Sequence, residues 1–563
     1  MSMRRLFCCI ALCVSLTSIA TQAQTADTIY YNANIWTADE RNPHATAIAI
    51  AGDAILYVGD DDGALAFNSP DTTRVNVRSK RIIPGLIDTH VHLQNAARSF
   101  DILNLRSATS REHLLEIIRD TADELPDDAW IQGRGWSAES WPDQTPPTAD
   151  ELNQASDNRP VLLTRMDGHS LIASRRALEI AGITRGTPED PPGGAIERDA
   201  NDVPTGAIFE QAMGLVGRHV PSTSSSVWIA LLHKAQDHAH AMGITQVGAI
   251  ESPDFLRQVV IPLDNEGQLT LRVQATISMG ADTLEEWRPE LEWASSSRHA
   301  STHVQVLGFK GYMDGSLGSR TAWMHEPYLD NPQNIAHDNA GFPLAMAGSG
   351  LLRDLILEGA AMGLQPAVHA IGTRANEQLL DWFAQVPEDA RHAVRPRVEH
   401  AQHLTPQDVA RFGSLGVIPS MQPYHKADDG RYADQRIGQE RNTTSYAFRE
   451  LLDTDAPLAF GSDWPVVSVN PFLAIAAAVN ARTLDDKTFV PEQSITIEQA
   501  LHAYTRAAAW CLHTEQSTGM LRAGYKADML ILDRDILSTP PDQLGDIRVE
   551  QTIVGGTTVH TQQ

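Results

Sequence analysis

The chain has 563 residues, four cysteines and a formal net charge of −27 at pH 7, and 42% of its residues are hydrophobic. A charge of this size repels polyanions, which excludes nucleic acid as the expected partner; we interpret it as a source of solubility. At roughly 150 residues per domain the length allows about three or four units, although barrels often run longer as a single domain.

Residues 1–23 have the pattern of an export signal. Two arginines precede an apolar segment from Leu6 to about Ile19, and small residues suited to cleavage follow. An uncleaved membrane anchor is the alternative, which the short apolar segment and the lack of a stop-transfer flank disfavour. We therefore expect a periplasmic or secreted protein with no membrane attachment after cleavage of this signal peptide.

Three of the four cysteines, Cys8, Cys9 and Cys13, lie in that leader, which leaves Cys511 in the mature chain. A single cysteine forms no internal disulfide and excludes the multi-thiolate sites typical of structural zinc. The mature fold is expected to form without disulfides.

Short β-rich segments lie at both ends of the mature chain. "TIYYNANIWTAD" and "ATAIAIAGDAILYVGD" follow the leader, and "ADMLILDRD" and "VEQTIVGGTTVHT", with a Gly-Gly hairpin, lie near the other end. These segments predict a small β-sandwich domain assembled from residues 24–84 and residues 511–563.

Between them, residues 85–510 alternate apolar strands with amphipathic helices, which indicates βα units and a parallel sheet. Six apolar runs that end in polar residues are typical of buried strands: "RIIPGLID", "THVQVLGFKG", "LQPAVHA", "RPRVEHA", "LGVIPSMQP" and "APLAFGSD". The pattern predicts an α/β fold with a (β/α)₈ TIM barrel, in which function collects at the carboxyl ends of the strands.

From about residue 105 to 235 this alternation gives way to a segment rich in tryptophan, proline and glycine. Such a segment can be a linker, but Trp136 and Trp141 are costly to expose to water. We therefore expect residues 105–235 to form an inserted, packed cap over one face of the barrel.

The stretch "PGLIDTHVHL" places His90 and His92 two residues apart at the end of a predicted strand. Alternate side chains of a strand share a face, so both imidazoles can meet one metal ion. With 21 histidines in the chain, a chance pair or a hydrogen-bonding pair is about as probable as a metal site.

Four later strands also end on possible ligands, namely Lys310, His369, His400 and Asp463. A closed barrel brings the carboxyl ends of its strands into one ring. Several strands that each deliver a ligand at the same end favour a metal centre over separate coincidences.

Lys310 is unusual among them, because an ammonium group repels a cation and is costly to bury. One interpretation pairs it with an acid such as Asp314. The functional interpretation is that it takes up carbon dioxide and becomes a carbamate that bridges two metals. Glu251, near another strand end, is an alternative bridging acid.

Several motifs match a known family: "PGLIDTHVHL", "GFKGYMDGSLGSRTA", "AVHAIGTRAN", "RVEHAQHL", "SMQPYH", "FGSDWPV" and "TGMLRAGYKADMLILDRD". Over nearly the whole mature chain the sequence resembles the amidohydrolase superfamily, in its N-substituted formamide deformylase-like branch (amidohydrolase family 3). The resemblance implies a binuclear centre of two divalent ions with these ligands: His90, His92 and Asp463 for one metal, His369 and His400 for the other, and carboxylated Lys310 between them. Such ligands suit zinc, with manganese, iron, cobalt or nickel as alternatives.

The resemblance also implies a mechanism. A hydroxide between the metals would attack the substrate, because two cations lower the pKa of water and polarise a carbonyl group. Asp463 would take the proton and pass it to the departing nitrogen. We therefore predict a metal-dependent hydrolase acting on a carbon–nitrogen bond of a small molecule, other than a peptide bond, in an amide, formamide or cyclic amide.

Three other functions stay open. A mononuclear deaminase of the superfamily is disfavoured, because position 372, where such enzymes typically have glutamate, is glycine. A lactonase would use the same ligands, and fold does not choose between these substrates. A catalytically inactive periplasmic binding protein is disfavoured because all six ligand positions are filled. A homodimer is the default expectation for oligomeric state.

A further set of residues lies in loops that resemble substrate-facing loops of the family. These predicted substrate-binding residues are Trp136, His169, Asp314, Arg320, Gln422 and His425. His403, three residues after His400, is expected to have a structural role instead.

Overall fold

The structure is a computed structural model that describes residues 24–185, 189–330 and 339–562. The predicted signal peptide, residues 1–23, lies outside this part of the chain. Within the described ranges, no helix combines the length and the apolar character needed to cross a membrane.

The centre of the molecule is a barrel of eight parallel strands that neighbour one another in chain order. The strands are Leu86–Val91, Ile244–Glu251, Arg272–Ile277, Val304–Tyr312, Gln365–Ala370, Arg397–His400, Ile418–Met421 and Ala459–Phe460. The last strand joins the first through Asp463, whose N–H donates to the carbonyl of His90 at 2.7 Å, and through His92, whose N–H donates to the carbonyl of Trp464 at 2.8 Å. The predicted TIM barrel is confirmed.

Helices cover the outside of the barrel, so strands such as Ile244–Glu251 are buried along their whole length. The longer helices are Ser225–Ala241, Leu284–Ser296, Leu351–Ala361, Thr373–Gln385, Pro406–Leu415 and Pro471–Asn480. Ile497–Ala503 begins with a capping box, in which the side chains of Thr496 and Gln499 each bond the other's backbone N–H.

Two sheets at the side of the barrel form the predicted β-sandwich. A four-stranded sheet contains Thr28–Tyr31, Ala47–Ala51, Ala54–Gly59 and Thr73–Asn76. A six-stranded sheet contains Asn34–Trp36, His44–Ala45, Arg81–Pro84, Met529–Leu532, Val549–Val554 and Thr557–Thr561. Both chain ends meet where Met529–Leu532 pairs antiparallel with Arg81–Pro84. Apolar side chains of the two sheets share one buried cluster, which confirms a sandwich built from both termini.

A second six-stranded sheet, which we call the inserted sheet, lies between the first and second barrel strands. Its strands are Leu103–Asn104, Ile131–Trp136, Val161–Arg165, Ser170–Ala173, Gly194–Arg198 and Pro204–Glu210, flanked by the helices Arg111–Glu124, Ala149–Ala155 and Arg175–Ile180. Trp136 and Trp141 are buried in its own apolar core. Residues 225–235, by contrast, belong to the barrel helix Ser225–Ala241, whose Leu231 and Leu232 pack in the barrel core.

Candidate metal centre

The carboxyl ends of the barrel strands bring the predicted ligands into one buried cluster. The Nε2 atoms of His90 and His92 lie 3.5 and 3.3 Å from Oδ1 of Asp463. The ring centroid of His400 is 5.0 Å from that of His90 and 4.5 Å from that of His369. The sixth predicted ligand, Lys310, is completely buried and lies close enough to interact electrostatically with His90 and His400.

Left-handed backbone conformations aim two of these side chains. His400 has φ 78° and Asp463 has φ 60°, in a region that residues other than glycine rarely adopt. Such strain persists only where surrounding bonds impose it, and it concentrates at functional sites. Here Asp88 accepts hydrogen bonds from the backbone N–H groups of His90 and Ser462, at 3.1 and 2.9 Å, and so fixes the first and last strand ends together.

In His90 and His369, a hydrogen bond from one ring nitrogen to a neighbouring group decides which nitrogen is left to face the cluster. His90 Nδ1 lies 2.7 Å from the Glu399 carboxylate. Burial alone would raise the pKa of Glu399, but Arg397, whose Nε is 2.9 Å away, and His90 lower it to about 2. The ionised Glu399 therefore accepts a hydrogen bond from the Nδ1–H of His90, and Nε2 of His90 presents its lone pair to the cluster. His369 donates from Nε2 to the carbonyl of Gly315 at 3.0 Å, which leaves its Nδ1 as the free acceptor.

Several buried atoms of the cluster make no hydrogen bond. They are Nε2 of His90, Nδ1 of His400, Nε2 of His425 and Oδ1 of Asp463. Burying such atoms without a partner costs free energy, so an unmet group in a native fold indicates an ion, a water or a ligand. Potential ligand atoms form two groups, and within each group all atoms lie within 4.8 Å of one another. Asp463 belongs to both groups: His90, His92 and Asp463, and His400, His425 and Asp463.

The charge states suit divalent cations. Burial lowers the pKa of His90 to about 4 and the pKa of His400 well below its usual value, so both imidazoles are neutral and able to bind metal at pH 7. Burial would raise the pKa of Asp463, but the neighbouring histidines, His90 first, hold it well below its usual value. Neutral imidazoles around an ionised carboxylate are ligands that zinc and similar ions prefer.

Lys310 does not pair with Asp314, contrary to one interpretation of the sequence. Asp314 is buried and accepts the backbone N–H groups of Ile371, Gly372 and Trp323 at 2.8 to 3.0 Å. The Lys310 ammonium instead lies 5.1 Å from the centroid of the Tyr312 ring. Burial, the largest influence, lowers the pKa of Lys310 to about 8.

A pocket opens above the cluster, between the barrel and the inserted sheet. Its wall includes Arg165, Asp167, His169, Ser316, Gln402, His400, His425, Tyr432 and Asp463. His169 Nδ1 lies 2.9 Å from the Glu210 carboxylate, and its ring centroid is 5.1 Å from that of His369. Burial would lower the pKa of His169, but Glu210 outweighs it and raises this pKa to about 9. His169 therefore presents a positive charge to the pocket.

The structure divides the six predicted substrate-binding residues. His169 and His425 line the pocket. Gln422 is completely buried beneath it, where it donates to the carbonyl of Ser420 at 3.1 Å and lies beside His90. Asp314, as described above, holds backbone N–H groups and does not face the pocket.

Trp136 and Arg320 also lie away from the pocket wall. Trp136 donates from Nε1 to the carbonyl of Leu163 at 2.9 Å inside the core of the inserted sheet. Arg320 pairs with Asp330, with 3.0 Å between Nη2 and Oδ2. Their polar groups are engaged by protein partners, so contact of Trp136 and Arg320 with substrate stays a prediction.

Glu251, considered as a bridging acid, has a different role. Its carboxylate accepts the backbone N–H groups of Leu93 and Gln94 at the start of the helix Leu93–Arg98. Glu251 thus fixes the chain immediately after His92. His403 is buried with Nδ1 2.7 Å from the Ser445 hydroxyl, as suits a structural residue.

Sequence reasoning missed the residues that orient the ligands. Asp88, Glu399 and Glu210 were not singled out, although two of them lie in strands that were predicted. The only signal was a charged residue inside an apolar run, as in "RVEH" and "LIDTH". A buried carboxylate in a barrel strand needs a partner, and the nearest candidates are histidines on other strands.

Residues 75–560 match the model of the family described as "Amidohydrolase family". Protein LONG AFTER FAR-RED 3 of Arabidopsis thaliana is 33% identical over 522 residues, which cover 90% of this chain and 87% of that protein. N-substituted formamide deformylase of Arthrobacter pascens is 26% identical, over 95% of this chain and 98% of that enzyme. The crystal structure of an uncharacterized metal-dependent hydrolase from Pyrococcus furiosus superposes with a TM-score of 0.70 at 27% identity, over 91% of this chain and 100% of that one.

Proposed function

The chain belongs to the amidohydrolase family and is a metal-dependent hydrolase, and from this premise we propose that it cleaves a carbon–nitrogen bond other than a peptide bond. The substrate class is an amide, a formamide or a cyclic amide. Similarity to N-substituted formamide deformylase over 95% of the chain supports the choice of bond.

The observation that supports this reaction most directly is the position of Asp463. Its carboxylate belongs to both groups of ligand atoms, and its Oδ1 makes no hydrogen bond. Bound divalent cations supply Lewis acidity, which lowers the pKa of water and polarises a carbonyl group. Asp463 lies where it can accept a proton from the attacking water and return it to the departing nitrogen. An amine leaves poorly unless it is protonated, so a carboxylate that transfers this proton suits carbon–nitrogen cleavage.

The pocket residues have separate tasks. The charged His169, held by Glu210, faces the cluster and is placed to attract the oxygen that becomes negative as water adds to the carbonyl carbon. Glu399 keeps Nε2 of His90 directed at the cluster, and Asp88 keeps Asp463 in position.

The deaminase alternative meets a steric obstacle. A Cβ atom at Gly372 would lie 2.1 Å from the carbonyl oxygen of Trp323. A glutamate side chain therefore has no room at this position, and the proton transfer expected of it in a deaminase lacks its residue.

The experiment is metal analysis joined to a substrate screen. The purified protein is stripped with a chelator, reloaded with zinc, manganese, iron, cobalt or nickel, and assayed on N-acyl amino acids, formamides, cyclic amides, lactones and aminopurines. We expect about two zinc ions per chain and restored hydrolysis of an amide-type substrate. A single bound ion with deaminase turnover, or turnover of lactones alone, would contradict the proposal.

We also propose that Lys310 is carboxylated and bridges the two ions. Its burial at the strand end, away from any ion pair with Asp314, supports this. Lys310→Ala is expected to lose binuclear metal binding and activity, and short carboxylic acids added to the assay should restore part of both. Lys426→Ala is the matched control, because Lys426 is also buried but donates to the carbonyl of Val490. Added carboxylic acids should not change the activity of this variant. Full activity of Lys310→Ala without added acid would rule out the bridge.

Finally, we propose that the protein is exported and that its leader is removed. Sequencing the N-terminus of the protein recovered from a periplasmic fraction is the test. A start near residue 24 is expected, whereas an intact leader in the membrane fraction would indicate an anchor.

A further inference from the structure

A second pocket, which we call the arginine pocket, lies beside the segment that follows Asp463. Its wall includes Phe100, Arg106, Arg134, His238, Tyr424 and Trp464. Val467 lines both this pocket and the pocket above the metal centre. The two spaces thus share a wall formed by the chain immediately after the proposed catalytic residue.

Aromatic rings make up one side of the arginine pocket. The Trp464 ring lies 5.6 Å from the His238 ring and 6.3 Å from the Phe100 ring, centroid to centroid. Phe100 is 38% exposed and is one of four large apolar side chains that are exposed in the described part of the chain. An exposed aromatic ring at the mouth of a pocket favours contact with an apolar ligand group.

The other side has two arginines that lack a carboxylate partner. The guanidinium of Arg134 donates one long hydrogen bond, 3.5 Å from Nη2 to the carbonyl of Met166, and its buried Nε has no partner. Arg106 donates to the carbonyls of Pro465 and Val466. Among the described residues, no carboxylate lies within 4.0 Å of either guanidinium.

The acids that act on these arginines from farther away are already engaged. Asp428, which attracts Arg106, bonds to Arg431. Asp463 and Asp167 attract Arg134; Asp463 belongs to the metal cluster, and Asp167 pairs with Arg165. A charged guanidinium in such a place is costly unless an anion compensates it. The planar guanidinium group of an arginine can donate two parallel hydrogen bonds to one carboxylate.

We propose that the arginine pocket binds a carboxylate attached to an aromatic or other apolar group, and that this is the distal end of the substrate. Arg134 holds the carboxylate, Arg106 lies beside it, and the apolar group packs on Trp464 and Phe100. The substrate then extends past Val467, which lines both pockets, so that its scissile bond lies at the metal centre. The assignment of the ligand to the substrate rests on the proposed hydrolase function.

The first test measures binding, without turnover. Calorimetric titration compares 3-phenylpropanoate with its neutral analogue 3-phenylpropanamide, on the metal-loaded protein and again after chelation, so that binding to metal is separated from binding to arginine. We expect the carboxylate to bind more tightly than the amide in both states. Arg134→Met should weaken carboxylate binding by about 10- to 100-fold and leave amide binding unchanged, and Arg134→Lys should retain part of the preference.

The control is Arg119→Met, an exposed arginine on the helix Arg111–Glu124 of the same insertion. It should bind like the unaltered protein. No detectable binding, equal affinity for the two probes after chelation, or an unchanged preference in Arg134→Met would each overturn the proposal.

The second test separates this proposal from the proposed function. N-formylphenylalanine and N-formylphenethylamine differ only in the carboxylate, and we expect the former to have the higher kcat/KM, with the difference lost through KM in Arg134→Met. A protein that binds the carboxylate through Arg134 but cleaves no carbon–nitrogen bond would overturn the proposed carbon–nitrogen hydrolysis and keep the pocket. A protein that cleaves both formamides equally well would keep the assignment and overturn the pocket.

Discussion

The barrel rim and the inserted sheet both supply ionisable side chains to the central pocket, but they do so in opposite states. At the rim, Nε2 of His90, Nδ1 of His400 and Oδ1 of Asp463 have no hydrogen-bond partner. From the inserted sheet, Arg165 is paired with Glu139 and Asp167, and His169 with Glu210.

This difference indicates that the rim binds metal and the inserted sheet positions the substrate. Unpaired ligand atoms leave room for cations, whereas residues whose charges are already balanced hold a fixed shape and can position a substrate without reorganising. Changes at the rim should therefore remove metal and activity, and changes in the inserted sheet should alter substrate handling or stability.

The largest effect is expected at Asp463. Asp463→Asn keeps the shape of the side chain but removes the charge that both ligand groups share. We expect activity to fall by about 10³-fold or more, since metal binding and proton transfer are lost together. Metal content and kcat are measured beside Asp486→Asn, an exposed aspartate in a surface turn. Retained activity with normal metal content would remove Asp463 from the mechanism.

The next effect concerns the orientation of His90. Glu399→Gln replaces the ionised acceptor of the Nδ1 proton and should weaken metal affinity by about 10- to 100-fold. Affinity is measured by competition with a chelator. The loss of the buried pair with Arg397 also lowers stability, so thermal unfolding is recorded in parallel. Exposed Glu388→Gln is the control, and unchanged metal affinity in Glu399→Gln would show that Glu399 does not orient His90.

A smaller effect, visible in pH dependence, is expected in the inserted sheet. His169 stays charged until the pH rises through its pKa of about 9, because the Glu210 carboxylate stabilises the imidazolium against the effect of burial. Glu210→Gln removes that attraction, so the pKa falls and the alkaline decline of kcat/KM should move to lower pH. We expect kcat/KM near pH 8 to drop by about tenfold while metal content stays normal. If the alkaline decline of kcat/KM occurred at the same pH in Glu210→Gln as in the unaltered protein, the decline would belong to the titration of another group.

The smallest effect on catalysis is expected at Trp136. Trp136→Phe removes the hydrogen bond to the carbonyl of Leu163 and should lower the free energy of unfolding by about 1–3 kcal/mol. KM and kcat should stay unchanged, because the ring lies in the core of the inserted sheet. A raised KM in a fully folded variant would return Trp136 to the substrate site.

The sequence predicted the barrel, and with it which residues lie together at the rim, because strand positions depend on local pattern. Apolar runs that end in His90, His369 and His400 mark strands, and parallel strands in a barrel necessarily place those ends on one rim. Alternating residues and a glycine hairpin likewise predicted the sheets at the two chain ends. The positions of strands along the chain can therefore be predicted from the sequence.

The roles of loop residues are harder to predict from the sequence than the positions of strands. Asp314 and Arg320 follow a barrel strand, and Trp136 ends a strand of the inserted sheet. Each is engaged by protein groups: three backbone N–H groups, the Asp330 carboxylate and a backbone carbonyl, respectively. A polar residue after a strand can face a pocket or brace a loop, and local sequence does not distinguish the two. The choice depends on which donors and acceptors the fold brings within hydrogen-bond distance.

The sequence by itself thus determined where the predicted ligands stand along the chain, because strand periodicity and parallel order are local properties. Only the tertiary structure decided which atom of each ligand is free, since the partners lie far away in sequence: Glu399 is 309 residues from His90, and Ser462 is 374 from Asp88. It also decided that His425 joins Asp463 and that Arg134 stands without an acid. Hydrogen bonding and charge compensation between distant segments are set by packing, which no stretch of sequence contains alone.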